Sequence, residues 1–406
     1  MKKVLIGLLV LAVAGGGVFA QEWRFQGDMW AGLGIWFTDW DDRDDPAIGL
    51  VSNDRDGMRS QLTTTVTDAE NTRGLNFRFR ADDWGSGRDV RMSHGFGWIS
   101  FMDNMFTLYG GDIDDAAGFN SLDRMVATRM GEGHGLRLLV RPLGDDNLAL
   151  SFGAYTTRTG LMDLDGTNNN QAKYTFAIRF HEPDLFRVVA GLRNTNEVGS
   201  GWNFSFADFD DFNGNGDESF NAGGRDQASA AYLSFEYLGL EDIHLAASAF
   251  FTNLEDFGDY GTMHFFASFG HTGLVDGMDL RLGFGLSMSN LFDDAFGSAY
   301  MPNIWVWASV DYQLTESVVP RLDLHYVMAG MGSGDERNMH NRNFARDGAI
   351  FHEDASFMRI QPSVQFRLTG TTFVEIGCVI DLWLGDSNWK ANDTAFAAYA
   401  LMRVSF

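Results

Sequence analysis

The final eleven residues of the chain, 396-FAAYALMRVSF-406, alternate between apolar and mixed side chains up to the last position. Successive side chains of a β-strand point to opposite faces, so this pattern predicts a strand with one continuous apolar face. That face carries Phe396, Ala398, Ala400, Met402, Val404 and Phe406. Many soluble sheets also end this way, but an aromatic last residue is typical of the strand that closes a transmembrane β-barrel. Met402, Val404 and Phe406 are therefore a candidate barrel-closing signal, whose weight depends on the rest of the chain.

The other end of the chain predicts a secretory signal peptide over residues 1–20. Lys2 and Lys3 give the charged region, residues 4–13 are apolar, and the sequence VFA at 18–20 offers a cleavage site. The apolar run is too short to cross a bilayer as a helix, which takes about 20 residues; an uncleaved anchor is the alternative. Cys378 is the one cysteine, so the sequence predicts neither a lipidated cysteine near the cleavage site nor an intramolecular disulfide.

The chain is strongly acidic, with a formal net charge of −25. Removal of the two signal-peptide lysines makes the charge −27 (−25 − 2), which argues against a nucleic-acid-binding surface. Four of the 30 basic residues are lysines, so 26 (30 − 4) are arginines. No run of 18 apolar residues follows residue 20, and the sequence therefore predicts no transmembrane helix.

Alternation with period two recurs along residues 21–406 and predicts a single all-β unit. Its polar positions carry Arg and Gly again and again, as in 75–81 and 278–288. A soluble sandwich favours Lys, Thr and Glu on its polar face, whereas Arg and Gly suit the wall of a narrow aqueous lumen. We count 18 candidate strands, near residues 23–36, 58–66, 75–81, 92–101, 105–111, 135–141, 148–155, 172–180, 185–193, 228–237, 243–251, 262–270, 278–288, 304–312, 320–328, 357–367, 372–381 and 396–406.

The connections between these strands alternate in length. Among the short ones are 67–74 and 102–104, and the longest are 194–227 and 329–356. Short periplasmic turns and long extracellular loops characterise outer-membrane barrels, and an even strand count puts both termini in the periplasm. Hydrocarbon offers no partner for backbone polar groups, so a sheet in the membrane must close on itself. The predicted fold is a transmembrane antiparallel β-barrel of 16–18 strands, wide enough for an aqueous channel.

Two stretches resemble the hairpins of bacterial porins: SHGFGWISFMDNMFTLYGGD (Ser93–Asp112) and GHGLRLLVRPLGDDNLALSFGAY (Gly133–Tyr155). These motifs are degenerate and do not select one subfamily, and general porins have 16 strands where sugar-specific porins have 18. The resemblance implies a location in the outer membrane of a diderm bacterium, in contact with its lipid. It also implies recognition of the terminal strand by the barrel-assembly machinery, and it is compatible with a homotrimer.

In porins the third long loop folds into the lumen, where its acidic residues face arginines of the wall. The corresponding loop here covers about residues 112–133, although it lacks the Pro-Glu-Phe-Gly motif usual in porins. The resemblance therefore implies a pore constriction between an acidic set, Asp112, Asp114, Asp115 and Asp123, and a basic set, Arg59, Arg78, Arg80 and Arg137. In the alternative, the loop stays outside in solvent and the arginines only line a wide wall.

A weaker pattern concerns a metal. Asp211, Asn213 and Asn215 match the first half of a calcium-binding loop, in which oxygen ligands occupy alternate positions. The glutamate expected at the twelfth position is replaced by Ala222, so an acidic surface loop without metal is the favoured interpretation. Beyond this weak candidate for a structural calcium ion, no cofactor is expected.

The leading functional hypothesis is a non-enzymatic channel for passive diffusion of small hydrophilic solutes and ions. If the loop aspartates enter the lumen, they offset the wall arginines and leave a weak cation preference, which we expect; if they stay outside, anions are preferred. Trp305 and Trp307 are predicted to face inward and could stack on sugars, or belong to the interfacial aromatic girdle. The alternative function is a surface adhesin that acts through its long acidic loops. An outer-membrane enzyme is a third class, for which no catalytic motif is visible.

Overall fold

The computed structural model describes residues 21–37, 47–51, 59–84, 87–113, 119, 126–128, 133–156, 172–194, 202–204, 229–252, 254, 257, 262–289, 303–328, 337–339, 349–351, 356–369, 371–384 and 394–406. Nearly all of the regular structure within these ranges is β-strand. None of the described segments is a helix with the length and hydrophobicity needed to cross a membrane.

Eighteen long strands form one closed barrel. They are β1 (Gln21–Trp36), β3 (Arg59–Asp68), β4 (Arg73–Trp84), β5 (Gly87–Phe101), β6 (Phe106–Ile113), β8 (Gly133–Val140), β9 (Leu148–Thr156), β10 (Ala172–Glu182), β11 (Phe186–Arg193), β13 (Ala230–Tyr237), β14 (Ile243–Thr252), β15 (Thr262–Val275), β16 (Met278–Ser289), β17 (Asn303–Tyr312), β18 (Val318–Met328), β21 (Ser356–Arg367), β22 (Phe373–Leu384) and β23 (Thr394–Ser405). The described ranges contain five further strands, which are short: β2 (Ala47–Val51), β7 (Val126–Thr128), β12 (Trp202–Phe204), β19 (Arg337–Met339) and β20 (Ala349–Phe351).

Each barrel strand pairs antiparallel with the barrel strand before it and the one after it in the chain. The ring closes where β23 pairs with β1, in a register that runs from Asp28 opposite Ser405 to Trp36 opposite Ala397. The predicted antiparallel barrel is therefore confirmed, with 18 strands. Closure leaves no unpaired sheet edge, which is the condition for a sheet in hydrocarbon.

Two local features escape the sequence periodicity. The short strand β2 pairs with the second half of β1, from Gly32 to Trp36. Strand β3 pairs with the first part of β1, from Gln21 to Trp30, along the same edge. In β5 a bulge lies at Ser93, since Arg78 pairs with His94 while the next residue, Phe79, pairs with Met92. A bulge adds one residue to one strand only, so it shifts the alternation without changing the average hydrophobicity of the segment.

Eight connections join neighbouring strands by two to seven residues at one end of the barrel: 69–72, 102–105, 141–147, 183–185, 238–242, 276–277, 313–317 and 368–372. We call this end, which also holds Gln21 and Phe406, the turn end, and the opposite end the loop end. Asn71, Asp103 and Asp184 adopt positive φ in these turns, between 54° and 62°. Asparagine and aspartate tolerate this left-handed conformation better than most residues, which explains their use here.

The outward face of the barrel is apolar, and aromatic side chains mark its turn end. Phe25 and Phe406 are 57% and 76% exposed. Neighbouring strands contribute stacked or tilted pairs, such as Phe101 with Phe106, whose ring centroids lie 5.4 Å apart, and Phe180 with Phe186. In water such a surface would be unstable, whereas a bilayer solvates it, and aromatic rings favour the membrane interface. The opposite positions of each strand point inward and carry most of the charged groups described below.

Candidate functional site: the inner wall of the barrel

The inner wall carries arginines held by carboxylates of the neighbouring strand. Arg187 on β11 donates from Nε to Glu236 Oε2 on β13 at 3.1 Å, and its Nη2 donates to the same oxygen. The other carboxylate oxygen of Glu236 lies 3.1 Å from His244 Nδ1 on β14. His244 Nε2 in turn lies 3.0 Å from Ser268 Oγ on β15. Four adjacent strands thus form one hydrogen-bonded row, because antiparallel pairing puts inward residues of neighbouring strands side by side.

A second row crosses β16, β17 and β18. Arg281 donates from Nη2 to Asp311 Oδ2 at 2.7 Å and to Ser309 Oγ at 3.2 Å. Arg321 Nε lies 2.8 Å from Asp323 Oδ2 and 3.4 Å from Asp311 Oδ1. Basic and acidic groups therefore alternate along the row. Asp311 lies between two arginines, and charge repulsion between the guanidinium groups is reduced accordingly.

The ring of Trp307 lies on the loop-end side of this row. Its centroid is 6.0 Å from Arg281 Cζ and 6.2 Å from the His325 ring, to which it is nearly parallel. The sequence prediction that Trp307 faces inward agrees with these contacts. The side chain of Trp305 lies outside the described residues.

A chain of buried polar side chains continues the wall across β21, β22 and β23. Arg367 donates from Nε and Nη2 to Gln365 Oε1, at 3.1 and 3.0 Å. Gln365 Nε2 donates to Glu375 Oε2 at 2.6 Å, and Tyr399 OH donates to the other oxygen of Glu375 at 2.6 Å. Gly377 leaves the space for the phenol, because a Cβ there would lie 2.7 Å from Tyr399 Oη. Burial of this carboxylate is offset by two hydrogen bonds to it.

The seam between the last strand and the first carries its own ion pair. Arg403 on β23 donates from Nε to Asp28 Oδ1 at 2.9 Å, and Trp30 Nε1 donates to Asp28 Oδ2 at 2.9 Å. The Arg403 guanidinium lies 4.7 Å from the Trp30 ring centroid, a cation–π contact. Trp30 also packs edge-to-face on Phe373, within an apolar cluster on the inner side of the seam.

In these four ion pairs the arginine is consistently more exposed than its carboxylate. The exposed side-chain fractions are 37% for Arg187 against 5% for Glu236, and 40% for Arg281 against 16% for Asp311. The same order holds for the pair on β18, at 25% against 10%, and for the seam pair, at 30% against 12%. In these four pairs the guanidinium group is therefore the more accessible partner from the lumen, whereas Asp146 is more exposed, at 64%, than Arg141 and Arg179, at 20% and 14%.

The arginines also share a height in the barrel. Arg187, Arg281, Arg321, Arg367 and Arg403 lie within four residues of the turn end of their strands, which is at most roughly 13 Å along a strand. Arg141 and Arg179 join them through Asp146 in a short turn, at 2.8 and 3.0 Å. Hydrogen bonding from Arg141 and the charge of the two guanidinium groups hold the pKa of Asp146 below its usual value.

The half of the inner wall over β5 to β15 carries aromatic side chains as well as the charged row on β11 to β15. Tyr232, Phe250 and Phe266 are buried on three successive strands, with ring centroids 5.9 and 5.8 Å apart. Phe119, in the segment after β6, is fully buried against this half. The Tyr232 hydroxyl donates to the Phe119 carbonyl, and Arg179 Cζ lies 5.4 Å from the Phe119 ring centroid. Because Tyr232 and Arg179 point inward, Phe119 lies inside the barrel.

Of the predicted constriction, the structure describes the side chains of four residues, which are Arg78, Arg80, Arg137 and Asp112. Arg137 is buried and donates from Nε to Tyr155 OH at 2.9 Å. Arg78 points inward and donates from Nε to Thr63 Oγ1 at 3.4 Å. Arg80 belongs to the same inward set two residues further along β4, and nothing is described of the Arg59 side chain. The loop residues Asp114, Asp115 and Asp123 lie outside the described residues.

The placement of Asp112 corrects the prediction. Strand β6 extends to Ile113, which is 1% exposed on the inner side, so the alternation turns Asp112 to the outer face. There its Oδ1 lies 3.8 Å from His134 Nδ1. His134 shares this face with Leu136, which is 58% exposed. Asp112 is therefore not part of a constriction in the lumen.

The calcium hypothesis is not tested, since Asp211, Asn213 and Asn215 lie outside the described residues. Within the described ranges, no group of three or more potential ligand side chains is placed to hold a metal ion. The pairing of wall arginines with carboxylates was also missed from sequence. Partners such as Arg187 and Glu236 are 49 residues apart, and only the register of β11 with β13 brings them together.

Comparison with known proteins supports the fold. No protein-family model matches the sequence, and no curated protein does so. Among solved structures, OprD of Pseudomonas aeruginosa aligns with a TM-score of 0.51 at 11% identity, over 94% of this chain and 95% of OprD. OpdK of the same organism gives 0.55 at 8% identity, over 95% and 99% of the two chains. The anion-selective porin of Comamonas acidovorans gives 0.51 at 9% identity, over 95% and 100%.

At these identities the likeness concerns the fold. The chain has the fold of bacterial outer-membrane porins, and its strand count equals the number that we read from the sequence. The closed barrel and its apolar outer face place the protein in the outer membrane of a Gram-negative bacterium, as predicted.

Proposed function

We propose that the protein is a non-enzymatic channel through which small hydrophilic solutes and ions diffuse across the outer membrane. The observation that carries this proposal is the inner wall of an 18-stranded barrel, lined with charged side chains. A barrel filled by its own side chains needs no such lining, and 16 to 18 strands leave room for water. The solutes and membrane lipid are the partners that this function requires.

The wall favours anions over cations. In four of its ion pairs the arginine is the more exposed member, so a permeating ion meets these guanidinium groups before their carboxylates. Low-dielectric walls focus the field of such groups into the lumen, whereas the acidic loops at the mouth are screened by salt over about 8 Å. Since Asp112 faces outward, the sequence expectation of a weak cation preference is replaced here by an anion preference.

We also propose that the third long loop, about residues 112–133, narrows the lumen. The burial of Phe119 against Tyr232 supports this, because a loop that stayed outside would not reach the inner wall. A Phe119→Ala variant should then conduct more current per channel than wild type. Leu143→Ala, an exposed side chain in a short turn, is the matched control and should leave the conductance unchanged.

The experiment that tests the channel is single-channel recording of the purified chain in planar bilayers, with solute-dependent swelling of liposomes as a second measurement. Stable open steps in KCl and permeation of small polar solutes are expected. An adhesin whose lumen is plugged would give neither, and binding of the long loops to host surfaces would then become the leading function. Cross-linking in the native membrane would test whether the barrel is a homotrimer.

A further inference from the structure

The outer face of the barrel carries an acid–imidazole pair at a depth where lipid is expected. Asp112 on β6 and His134 on β8 are opposite each other in the register, and their side chains, 25% and 42% exposed, lie 3.8 Å apart. Asp112 is six residues (112 − 106) along β6 from Phe106, whose ring belongs to the aromatic side chains of the turn end. Six residues of a strand tilted by about 40° rise roughly 15 Å, within an apolar band about 25 Å tall. The pair therefore lies short of the headgroups of the outer leaflet.

This position determines what can cover the pair. Charged groups on the lipid face of a barrel are costly, and the cost increases towards the membrane midplane. Lipid tails offer no hydrogen bonds at this depth. A protein surface does, since a carboxylate accepts hydrogen bonds and an imidazole donates one in either protonation state. The occupant that the observations favour is thus a protein surface that carries an acid and an imidazole at the same height, as a second copy of this chain does.

The adjacent row of outward residues, on the turn-end side of the pair, has a protruding side chain beside a hollow. Leu136 on β8 is 58% exposed and is opposite Gly110 on β6, which is in turn opposite Gly97 on β5. The two glycines leave this part of the face without side chains. Within a membrane, association depends on close packing, and small residues permit close approach. The leucine and the glycine hollow of one copy therefore fit the hollow and the leucine of another.

The strand lengths on this side of the barrel favour the same contact. Among the described barrel strands the four shortest, with eight residues each, are β6, β8, β11 and β13, whereas β21, β22 and β23 have 12 each. A transmembrane strand takes about 9–11 residues, so this side is short for the bilayer. Oligomerisation relieves part of such a mismatch, because the short sides of two copies shield each other from lipid.

We propose that β6 and β8 form the interface of a homodimer whose two-fold axis lies along the membrane normal. Such an axis keeps the height of every residue and exchanges left and right, so β6 of one copy faces β8 of the other. Asp112 then meets His134 of the second copy, and Gly110 receives its Leu136. An isologous contact of this kind makes each interaction twice and closes at two copies. The interface does not depend on whether the barrel conducts.

Cross-linking in native outer membranes tests the interface. Leu136→Cys in a Cys378→Ser background should give a dimer with a short, membrane-permeant bis-maleimide. The wild-type chain is the matched control, because its Cys378 lies on the outward face of β22, on another side of the barrel, and should give no dimer. A monofunctional maleimide of the same permeability shows that both thiols react. The proposal is wrong if Leu136→Cys yields no dimer, or if the wild-type chain cross-links equally.

An exchange of the two groups tests the contact itself. Asp112→His alone places four imidazoles at the interface, and His134→Asp alone places four carboxylates. Each should weaken dimerisation about tenfold, through loss of two symmetric contacts. The Asp112→His, His134→Asp double variant restores the opposition of acid and imidazole and should restore the dimer. Light scattering in mild detergent measures the mass of the complex, and heat-modifiable migration shows that each barrel is folded. A monomeric or trimeric wild type, or a double variant no better than the single ones, would contradict the interface.

Discussion

The last residue of the chain, Phe406, packs against Gly27 of the first strand. Phe406 and Gly27 exchange both backbone hydrogen bonds, at 2.9 and 3.1 Å. A Cβ at Gly27 would lie 2.3 Å from Cζ of the Phe406 ring, so the glycine makes room for the ring on the outer face. An aromatic ring that covers a strand glycine shields its backbone and fixes the register of the pair. This arrangement gives the terminal aromatic residue a structural role at the seam.

Substitution at either position should weaken closure. Phe406→Asp should block insertion, because it removes the ring and puts a charge at a lipid-facing site, which costs up to about 4 kcal/mol at the membrane midplane and less near the interface. We expect the variant to be exported but to lack heat-modifiable migration. Gly27→Ala should lower the temperature of the heat-modification transition. Gly110→Ala is the matched control, because a Cβ there would meet only Leu136 Cδ2, at 3.2 Å. This substitution should leave the transition temperature unchanged. Normal barrel formation by Phe406→Asp would contradict this account.

Labelling of Cys378 tests whether the outward face of β22 contacts lipid. It lies on β22 between Ile376 and Ile380 on the outward face, and Ile376 is 54% exposed there. Lipid should cover this thiol, so a charged, water-soluble thiol reagent should label it slowly in intact membranes. An introduced cysteine in the lumen, Arg281→Cys in a Cys378→Ser background, should be labelled quickly. Fast labelling of Cys378 would show that the register of β22 is wrong.

At the scale of the element, the ion pair of the seam should stabilise the closed ring. Asp28→Asn leaves the Arg403 guanidinium without its counter-charge and weakens the hydrogen bond from Trp30. Hydrogen bonds to charged groups contribute about 1.5–3 kcal/mol, so the temperature of heat modification should fall measurably. Arg24→Gln breaks a pair with Glu22 that is exposed on both sides, where about 1 kcal/mol or less is expected. Equal destabilisation by the two substitutions would show that the seam pair stabilises the barrel no more than an exposed ion pair does.

The sequence predicts the strands better than it predicts which side chains contact each other. All 18 barrel strands were predicted from alternation, because the inward and outward faces differ in polarity along each strand. The orientation of the Asp112 side chain was not predicted, because it depends on where β6 ends. Strand ends have no sharp signal in an alternating pattern. Pairs such as Asp28 and Arg403, 375 residues apart, depend on closure of the whole ring. Their contact could be guessed only after the strand count and the register were known.

At the scale of the whole molecule, the inner wall has apolar and charged regions. Tyr232, Phe250 and Phe266 on β13 to β15 form the apolar region near Phe119. Rows of paired charges cross β11 to β18 and the seam between β23 and β1. Apolar side chains bind a loop because both sides lose contact with water, and charged side chains keep their hydration. A channel with this wall would bring passing ions close to the paired charges.

This division predicts the selectivity of the channel and which residues control it. In a KCl gradient the wild-type reversal potential should have the sign of an anion preference that declines as salt is raised, because screening shortens the reach of the wall charges. Replacing the arginines with Arg281→Gln and Arg321→Gln should reduce the preference, since the exposed guanidinium groups are lost and their buried acids stay. Changing Asp112, Asp114, Asp115 and Asp123 to Asn should have the smaller effect, because at least Asp112 lies on the outer face. If the wild type prefers cations and that fourfold change abolishes the preference, the loop aspartates control the lumen and the wall arginines do not.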